Sequence, residues 1–209
     1  CKAYDANRQI PSEQLQYLLD VLRLAPSSLN TQPWQFLVAQ SAASKAKISQ
    51  AMQGTNTHNA TKITNCSAVI IFCVQQQLGI NHLQKVLDAE QAAGRFATDE
   101  AKQQRQQHCL TYLQQKQNHL AAWTRQQCYI ALGQLLLATQ EQGIDATPIE
   151  GFDSVILDDI LQLPAQGLNS VVVVALGYHS EQDFNHGVPK GRLAQTDIVQ
   201  FLDELNETR

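Results

Sequence analysis

The sequence predicts a layered protein of the α+β or α/β class, in which helices flank a few buried strands. Residues 68–74 and 171–176 are short runs that are apolar on both faces, which is typical of strands at the centre of a sheet. From Ser12 onward, leucines recur at the spacing of an amphipathic helix. The segment 121–142 is apolar nearly all round, so it must be buried on most sides by its own domain or by a partner.

Capping and helix-breaking residues set the other boundaries. Ser12 is expected to be the N-cap of the first helix, which should end at Pro26 because proline has no amide hydrogen. Thr98 is expected to cap the glutamine-rich helix, and Gly143 to follow the apolar helix at its C′ position. The predicted elements are an extended segment at 2–7, a helix from 12, a strand at 35–39, a helix at 42–52, a strand at 68–74, helices at 78–92, 99–117 and 121–142, a strand and turn at 144–151, a short helix from 153 and a strand at 171–176.

The last fifteen residues carry a weaker signal. Ile198, Phe201, Leu202 and Leu205 recur at helical spacing, and Thr196 could cap such a helix. This pattern predicts a short amphipathic helix at 195–209 that packs on the body or on a partner subunit. A frayed terminus is the alternative.

Composition excludes several classes of function. The 209 residues, 44% of them apolar, suffice for one domain with a sizeable core. A net charge of −4, without a basic cluster among aromatics, argues against nucleic-acid binding. The five cysteines and six histidines lack the spacing of a disulfide framework or a metal site, which indicates a reducing, cytoplasmic location. No apolar run is long enough to span a membrane, and no signal peptide is visible.

Phosphate-binding fingerprints are also missing. No Gly-x-Gly occurs in the chain, so neither a Rossmann dinucleotide site nor a P-loop is predicted. If the protein uses NAD(P)H, the nicotinamide must therefore dock against another cofactor.

Residues 25–34, APSSLNTQPW, carry the clearest functional signal, and we call them the signature loop. Two prolines, two serines and two amide side chains lie between a predicted helix and a predicted strand. Hydroxyls and amides in such a position can bind a ligand from a rigid scaffold, although the same residue types also dominate ordinary turns.

The signature loop resembles the A-P-S-S-x-N-x-Q-P-W motif of the FMN-dependent nitroreductase family, in its branch of oxygen-insensitive NAD(P)H nitroreductases, flavin reductases and dihydropteridine reductases. Further blocks follow in the family's order: KAYDAN, GRFAT, TPIEGF, the strand before GYHS, and DFN…PKGRL. The resemblance covers nearly the whole chain. It implies one nitroreductase domain over 1–209, of α+β class, with a mixed central sheet wrapped by helices in an interlocked homodimer. The family's N-terminal helix and an Arg-x-Ser segment would lie upstream of Cys1.

The resemblance further implies an FMN site at the subunit interface. The cofactor-binding positions carried over are Lys2, Pro26, Ser27, Ser28, Asn30, Asn59, Lys62, Gln127, Pro148, Ile149, Glu150, Gly151, Lys190, Gly191 and Arg192. Within this set, Lys190 and Arg192 would hold the phosphate. Lys2, Lys62 and Asn59 would meet the pyrimidine side and the ribityl chain, where fixed cations stabilise reduced flavin.

The remaining cofactor positions have different implied roles. The segment 148–151 would pass the flavin N5 mainly through its backbone, so Glu150 is not assigned as a general base. Gln127 could reach the flavin or only a neighbouring backbone. No side chain is assigned as catalytic, because the chemistry takes place at the flavin, and no metal is predicted.

Substrate positions follow from the same resemblance. Leu29, His58 and Tyr112 match variable positions that meet the acceptor, although a lone histidine such as His58 is more often a solvated loop residue. Arg95, Phe96, Ala97 and Thr98 match a segment that meets the nicotinamide nucleotide.

Together these positions imply an FMN enzyme that takes electrons from NADH or NADPH. It would pass two electrons to small-molecule acceptors, namely nitroaromatics, quinones or pteridines, in a ping-pong cycle. The alternatives are a flavin reductase that releases reduced FMN and a flavin-binding paralogue without turnover. No nucleic-acid or membrane partner is expected.

Overall fold

The computed structural model describes residues 1–202. The helices are α1 (Ser12–Arg23), α2 (Ala42–Ser49), α3 (Ala60–Asn65), α4 (Ile80–Ala92), α5 (Asp99–Lys116), α6 (Leu120–Glu141), α7 (Ser154–Ile160) and α8 (Gln195–Ile198). The strands are β1 (Trp34–Ala39), β2 (Ala68–Gln75), β3 (Asp145–Ile149) and β4 (Leu168–Gly177). Among these residues, no helix combines the length and apolar content needed to cross a membrane.

The strands form one sheet in the order β1-β2-β4-β3, so the two apolar runs are its central strands, as predicted. The α+β class is confirmed. Every strand pair within residues 1–202 is antiparallel, where we expected a mixed sheet. Adjacent strands of the sheet therefore run in opposite directions throughout.

Both faces of the sheet are buried, because successive side chains of a strand point to opposite faces. On one face, Ile70 and Phe72 of β2 pack in a cluster with α1 and α6. On the other face, Val69 and Ile71 pack in a second cluster with α2, α3 and α7. The burial of both faces explains why β2 is apolar at nearly every position.

Most helix ends lie close to the predicted boundaries, with one clear correction at α1. Pro11 occupies the N-cap position, and no side chain caps the helix, so the assignment of Ser12 as N-cap was wrong. The helix ends at Arg23, before Pro26, since the residue that precedes a proline avoids helical geometry. The caps predicted at the other two positions are confirmed: Thr98 Oγ1 accepts from the Ala101 amide at 3.2 Å, and Gly143 has φ 66°.

Helices α4 and α5 form a hairpin that stands beside the sheet with a small core of its own. Cys109 and Leu113 are the buried positions of α5, and they join Leu83 of α4 and Trp123 of α6 in a third apolar cluster. The many glutamines of α5 lie mostly on its outer faces, as expected of a solvated helix.

The C-terminal helix departs from the prediction. Between residues 195 and 202 the only α-helix is Gln195–Ile198, and the side chains of Ile198 and Phe201 are 67% and 59% exposed. Up to residue 202 there is no amphipathic helix packed on the body, and Leu205 lies outside the described residues. A single helical turn is marginally stable without a surface to pack on, so apolar residues at helical spacing are not sufficient to form a longer helix in the described part of this segment.

Candidate functional site

The signature loop has a backbone that non-glycine residues rarely adopt. Leu29, Asn30 and Gln32 have φ of 54°, 55° and 43°. Residues in such sparsely populated conformations cost about 1–3 kcal/mol each, and they persist only where neighbours restrain them. The loop is therefore a rigid, strained structure that other elements must hold in place.

Part of that restraint comes from the loop itself and from α6. The Gln32 amide donates to Ser27 Oγ at 2.9 Å, and Thr31 Oγ1 donates to the Ser28 carbonyl at 2.9 Å. The Ser28 amide donates to Gln127 Oε1 at 2.9 Å. The side-chain oxygen of the buried Gln127 therefore has a hydrogen-bond partner in a neighbouring backbone.

Two predicted acceptor-site residues lie beside the loop. Leu29 and Tyr112 pack against the same apolar cluster, and the Ser28 hydroxyl donates to the Tyr112 oxygen at 3.4 Å. The Tyr112 ring meets Trp123 edge-on, with centroids 5.9 Å apart. Pro26 is exposed at the start of the same loop.

A second group of predicted residues meets at the end of β3. Asn59 Nδ2 donates to the Gly151 carbonyl at 3.0 Å, and Lys62 Nζ donates to Asn59 Oδ1 at 2.7 Å. Asn59 and Lys62 are both buried and share one face of the short helical segment, as their spacing predicted. We call these residues, together with Lys2, the lysine cluster.

The lysine cluster holds two lysines close enough for the charge of one to affect the other. Burial lowers the pKa of Lys62, and the charge of Lys2 lowers it further. Within residues 1–202, no carboxylate lies within 4.0 Å of the Lys62 ammonium. Two neighbouring cations beside an amide are costly unless an electron-rich group joins them. This donor set fits the N1 and O2 edge of a flavin.

Gly151 makes the cluster compact. A Cβ atom at this position would lie 2.6 Å from Asn56 Oδ1 and 3.0 Å from Asn59 Nδ2. Any larger residue here would therefore push the two asparagine side chains away from position 151.

The residues before Gly151 behave differently from one another. Ile149 is buried in β3, whereas Pro148 and Glu150 are exposed. The Tyr129 hydroxyl donates to Glu150, and burial, followed by this hydrogen bond, raises the pKa of Tyr129 to about 12. Glu150 is thus engaged by α6.

The basic pair near the C terminus is less constrained. Lys190, Gly191 and Arg192 are exposed, and the Arg192 guanidinium donates to the Gly191 carbonyl at 2.7 Å. Lys190 lines a cleft of about 320 Å³ together with Cys1 and Asp183. The structure thus brings Lys190 to the start of the chain, but it brings neither basic residue into hydrogen-bond contact with the lysine cluster.

The remaining predicted substrate residues are on the surface. His58 is exposed, and within residues 1–202 its ring bonds only the Thr55 carbonyl through Nδ1, at 2.9 Å, which fits the solvated-loop alternative. The segment 95–98 forms the turn between α4 and α5, where Phe96 is half-buried and Ala97 is exposed. Arg95 approaches the buried Glu90, and the Thr98 hydroxyl is used as the cap of α5.

The signature loop and the lysine cluster lie on opposite sides of α6. Gln127 bonds the loop, whereas Tyr129 bonds Glu150 next to the cluster. Two positions along a helix correspond to a rotation of about 200°. No hydrogen bond among residues 1–202 connects the two groups directly.

Sequence reasoning missed four residues of this region, which are Glu90, His82, Arg105 and Tyr129. The first three bond the side chain or the backbone of the signature loop, and Tyr129 bonds Glu150. The first three lie on polar helices, where charged residues are normally solvated. The only signal available was their position on either side of the GRFAT block.

Comparisons with known proteins agree with this architecture. The family model described as the nitroreductase family matches residues 1–178. The chain is 37% identical to an oxygen-insensitive NAD(P)H nitroreductase of Enterobacter cloacae, over 95% of this chain and 93% of that protein. It is 32% identical to the major NAD(P)H-flavin oxidoreductase of Aliivibrio fischeri, over 96% and 93%. A crystal structure from Staphylococcus epidermidis, described as an NAD(P)H:FMN oxidoreductase, superposes with a TM-score of 0.81 at 25% identity, covering 96% of this chain and 90% of that one. The chain belongs to the nitroreductase family.

Proposed function

We propose that the protein is an FMN-dependent NAD(P)H oxidoreductase that reduces nitroaromatics, quinones or pteridines by two electrons in a ping-pong cycle. The observation that carries the proposal is the lysine cluster, in which no carboxylate of residues 1–202 lies within 4.0 Å of the ammonium group of the buried Lys62 or of its cationic neighbour Lys2. The names of the relatives, a nitroreductase and a flavin oxidoreductase that use NAD(P)H, support the same reaction class.

In this proposal, FMN when bound supplies the two-electron redox chemistry, and the chain supplies position and charge. Lys2 and Lys62 hold the electron-rich edge of the ring, while Asn59 fixes the Lys62 ammonium. Lys190 and Arg192 bind the phosphate from their exposed loop. The strained signature loop presents Ser27, Ser28 and Asn30 in one fixed geometry, next to Leu29 and Tyr112 at the acceptor pocket.

We further propose that each FMN site forms between two copies of the chain. The separation of the signature loop and the lysine cluster across α6 supports this arrangement, because a second copy can supply the missing group. The exposed face of α6 also supports it, since Ile130 is 45% exposed and Leu137 64% exposed, with Gly133 between them. Apolar side chains at this spacing on one helix face suit a helix of a second subunit.

The direct test is a visible spectrum of the purified protein before and after anaerobic addition of NADH or NADPH. We expect a bound flavin spectrum that either donor bleaches and that an acceptor such as a quinone restores. A protein that retains no FMN, or whose bound FMN neither donor bleaches, would contradict the proposal. Comparison of the two donors would also establish which one is preferred.

A flavin reductase that releases its product is the second candidate, and the Aliivibrio fischeri relative favours it. The two functions differ in whether FMN leaves the protein. Gel filtration in buffer that contains NADH separates them: co-elution of flavin and protein indicates an acceptor reductase, and loss of flavin from the protein indicates a flavin reductase.

A cytoplasmic location is part of the proposal. Each of the five cysteines is a free thiol in the structure, and four of them are buried. Free thiols persist in a reducing compartment, which supports this location.

Gly151→Ala should weaken FMN binding more than it weakens the fold. The added methyl group displaces Asn56 and crowds Asn59, so the bonds that orient Lys62 are lost. Since a typical hydrogen bond contributes about 1 kcal/mol, we expect the FMN Kd to rise about fivefold. Gly79→Ala is the matched control, because a Cβ there meets nothing within 4 Å. Equal Kd values for the two variants, measured by flavin fluorescence, would contradict the role of Gly151.

A further inference from the structure

The signature loop is held from outside by the α4–α5 hairpin. Arg105 of α5 donates to the Leu29 carbonyl at 2.9 Å, and His82 Nε2 of α4 donates to the Thr31 carbonyl at 2.7 Å. Asn30 Nδ2 donates to Glu90 Oε1 of α4 at 2.8 Å. The hairpin thus bonds the loop at the residues where the backbone has positive φ or directly beside them.

Glu90 differs from the other two contacts because it is a buried carboxylate. It is only 5% exposed, and a buried charge requires partners. Those partners are the Asn30 amide and the Arg95 guanidinium, whose Nε lies 3.7 Å from Glu90 Oε1. The Arg95 side chain is itself 66% exposed at the turn between the helices. Glu90 therefore lies between the signature loop and the 95–98 turn.

We propose that Glu90 is a positioning residue that holds Asn30 in its positive-φ conformation and orients Arg95 at the 95–98 turn. The inference rests on the proposed function, in which Asn30 serves the cofactor and Arg95 serves the nicotinamide nucleotide. One carboxylate then sets the geometry of both. The Asn30 contact needs only a hydrogen-bond acceptor, whereas the Arg95 contact needs a negative charge.

This difference allows the two contacts to be separated by substitution. Glu90→Gln keeps an oxygen that accepts from Asn30 but removes the charge that faces Arg95. Glu90→Ala removes both. Asp88→Asn is the matched control, since Asp88 lies on the same helix and bonds Lys102 of α5 but does not touch the loop.

The test combines hydrogen exchange of the loop amides with FMN affinity and steady-state kinetics of the full-length protein. For Glu90→Ala we expect the amides of residues 28–32 to exchange at least tenfold faster and the FMN Kd to rise about tenfold. For Glu90→Gln we expect both values to stay near those of the wild type. The KM for NAD(P)H should instead rise several-fold at unchanged kcat, because Arg95 has lost its partner. Asp88→Asn should match the wild type in every measurement.

Two results would overturn the proposal. The first is that the loop amides of Glu90→Ala exchange no faster than those of Asp88→Asn. The second is that the loop amides of Glu90→Gln exchange as fast as those of Glu90→Ala, which would mean that a hydrogen-bond acceptor alone does not hold the loop. If Glu90→Ala does not fold, Asn30→Ala removes the same bond from the loop side, together with the bond from Gln32 to Asn30 Oδ1, and its loop amides should exchange at least as fast as expected for Glu90→Ala. The exchange readout needs no cofactor, so a wild type that fails to bind FMN refutes the proposed function while Glu90 is still tested.

Discussion

Gly133→Leu is expected to abolish dimer formation and, with it, the binding of FMN. Gly133 lies on the exposed face of α6, where a Cβ atom would meet nothing within 4 Å in the single chain. Leucine therefore fits the chain itself, and it is a better helix former than glycine by roughly 0.8 kcal/mol. A second α6 packed closely against this glycine would leave no room for leucine.

The measurement is sedimentation at micromolar concentration together with the flavin content. We expect a wild-type dimer that carries FMN and a Gly133→Leu variant that sediments as a monomer without flavin and unfolds at lower temperature. The wild-type melting temperature should rise with protein concentration, and that of the variant should not. Gln103→Leu on the exposed face of α5 is the control for the added leucine. A flavin-loaded dimer in the variant would refute the α6 interface.

Lys62→Ala is expected to lower the two-electron midpoint potential of bound FMN by about 30–60 mV. Reduction increases the negative charge near N1 and O2, so a buried cation at that edge favours the reduced form. Charge-assisted hydrogen bonds contribute about 1.5–3 kcal/mol, and about 1.4 kcal/mol corresponds to 30 mV for a two-electron couple. Lys62→Met should give the same shift, because it removes the charge while it keeps most of the volume.

Lys190→Ala is the contrasting variant for this potential. Its proposed partner is the phosphate, whose charge does not change on reduction, so it should weaken FMN retention and leave the midpoint in place. Spectroelectrochemical titration of the FMN-loaded variants measures both effects. An unchanged midpoint potential in Lys62→Ala would refute the proposal that Lys62 lies at the N1 and O2 edge of the flavin ring.

The central strands β2 and β4 could be predicted from sequence, because burial of both faces of the sheet leaves few polar residues in them. The long helix α6 could be predicted because it is apolar nearly all round, although one of its faces is exposed in the single chain. The backbone of the signature loop could not be predicted in the same way. Its positive φ values fall on Leu29, Asn30 and Gln32, and no glycine marks them.

The contacts by which the α4–α5 hairpin holds the signature loop also could not be predicted from sequence. A carboxylate on a polar helix, such as Glu90, normally indicates a solvated face, and only the hairpin packing buries it. The placement of the signature loop and the lysine cluster on opposite sides of α6 could not be predicted either. It follows from the directions of Gln127 and Tyr129 only when their hydrogen-bond partners are known.

A mixed dimer tests most directly the claim that two chains build each FMN site. One chain carries Ser28→Arg in the signature loop, the other carries Gly151→Val in the lysine cluster, and each homodimer is expected to bind no flavin. The co-expressed heterodimer, isolated with two different tags, combines the intact cluster of the first chain with the intact loop of the second. We therefore predict one FMN per heterodimer. A heterodimer without FMN would mean that each chain must supply both groups to its own site, and it would contradict the account.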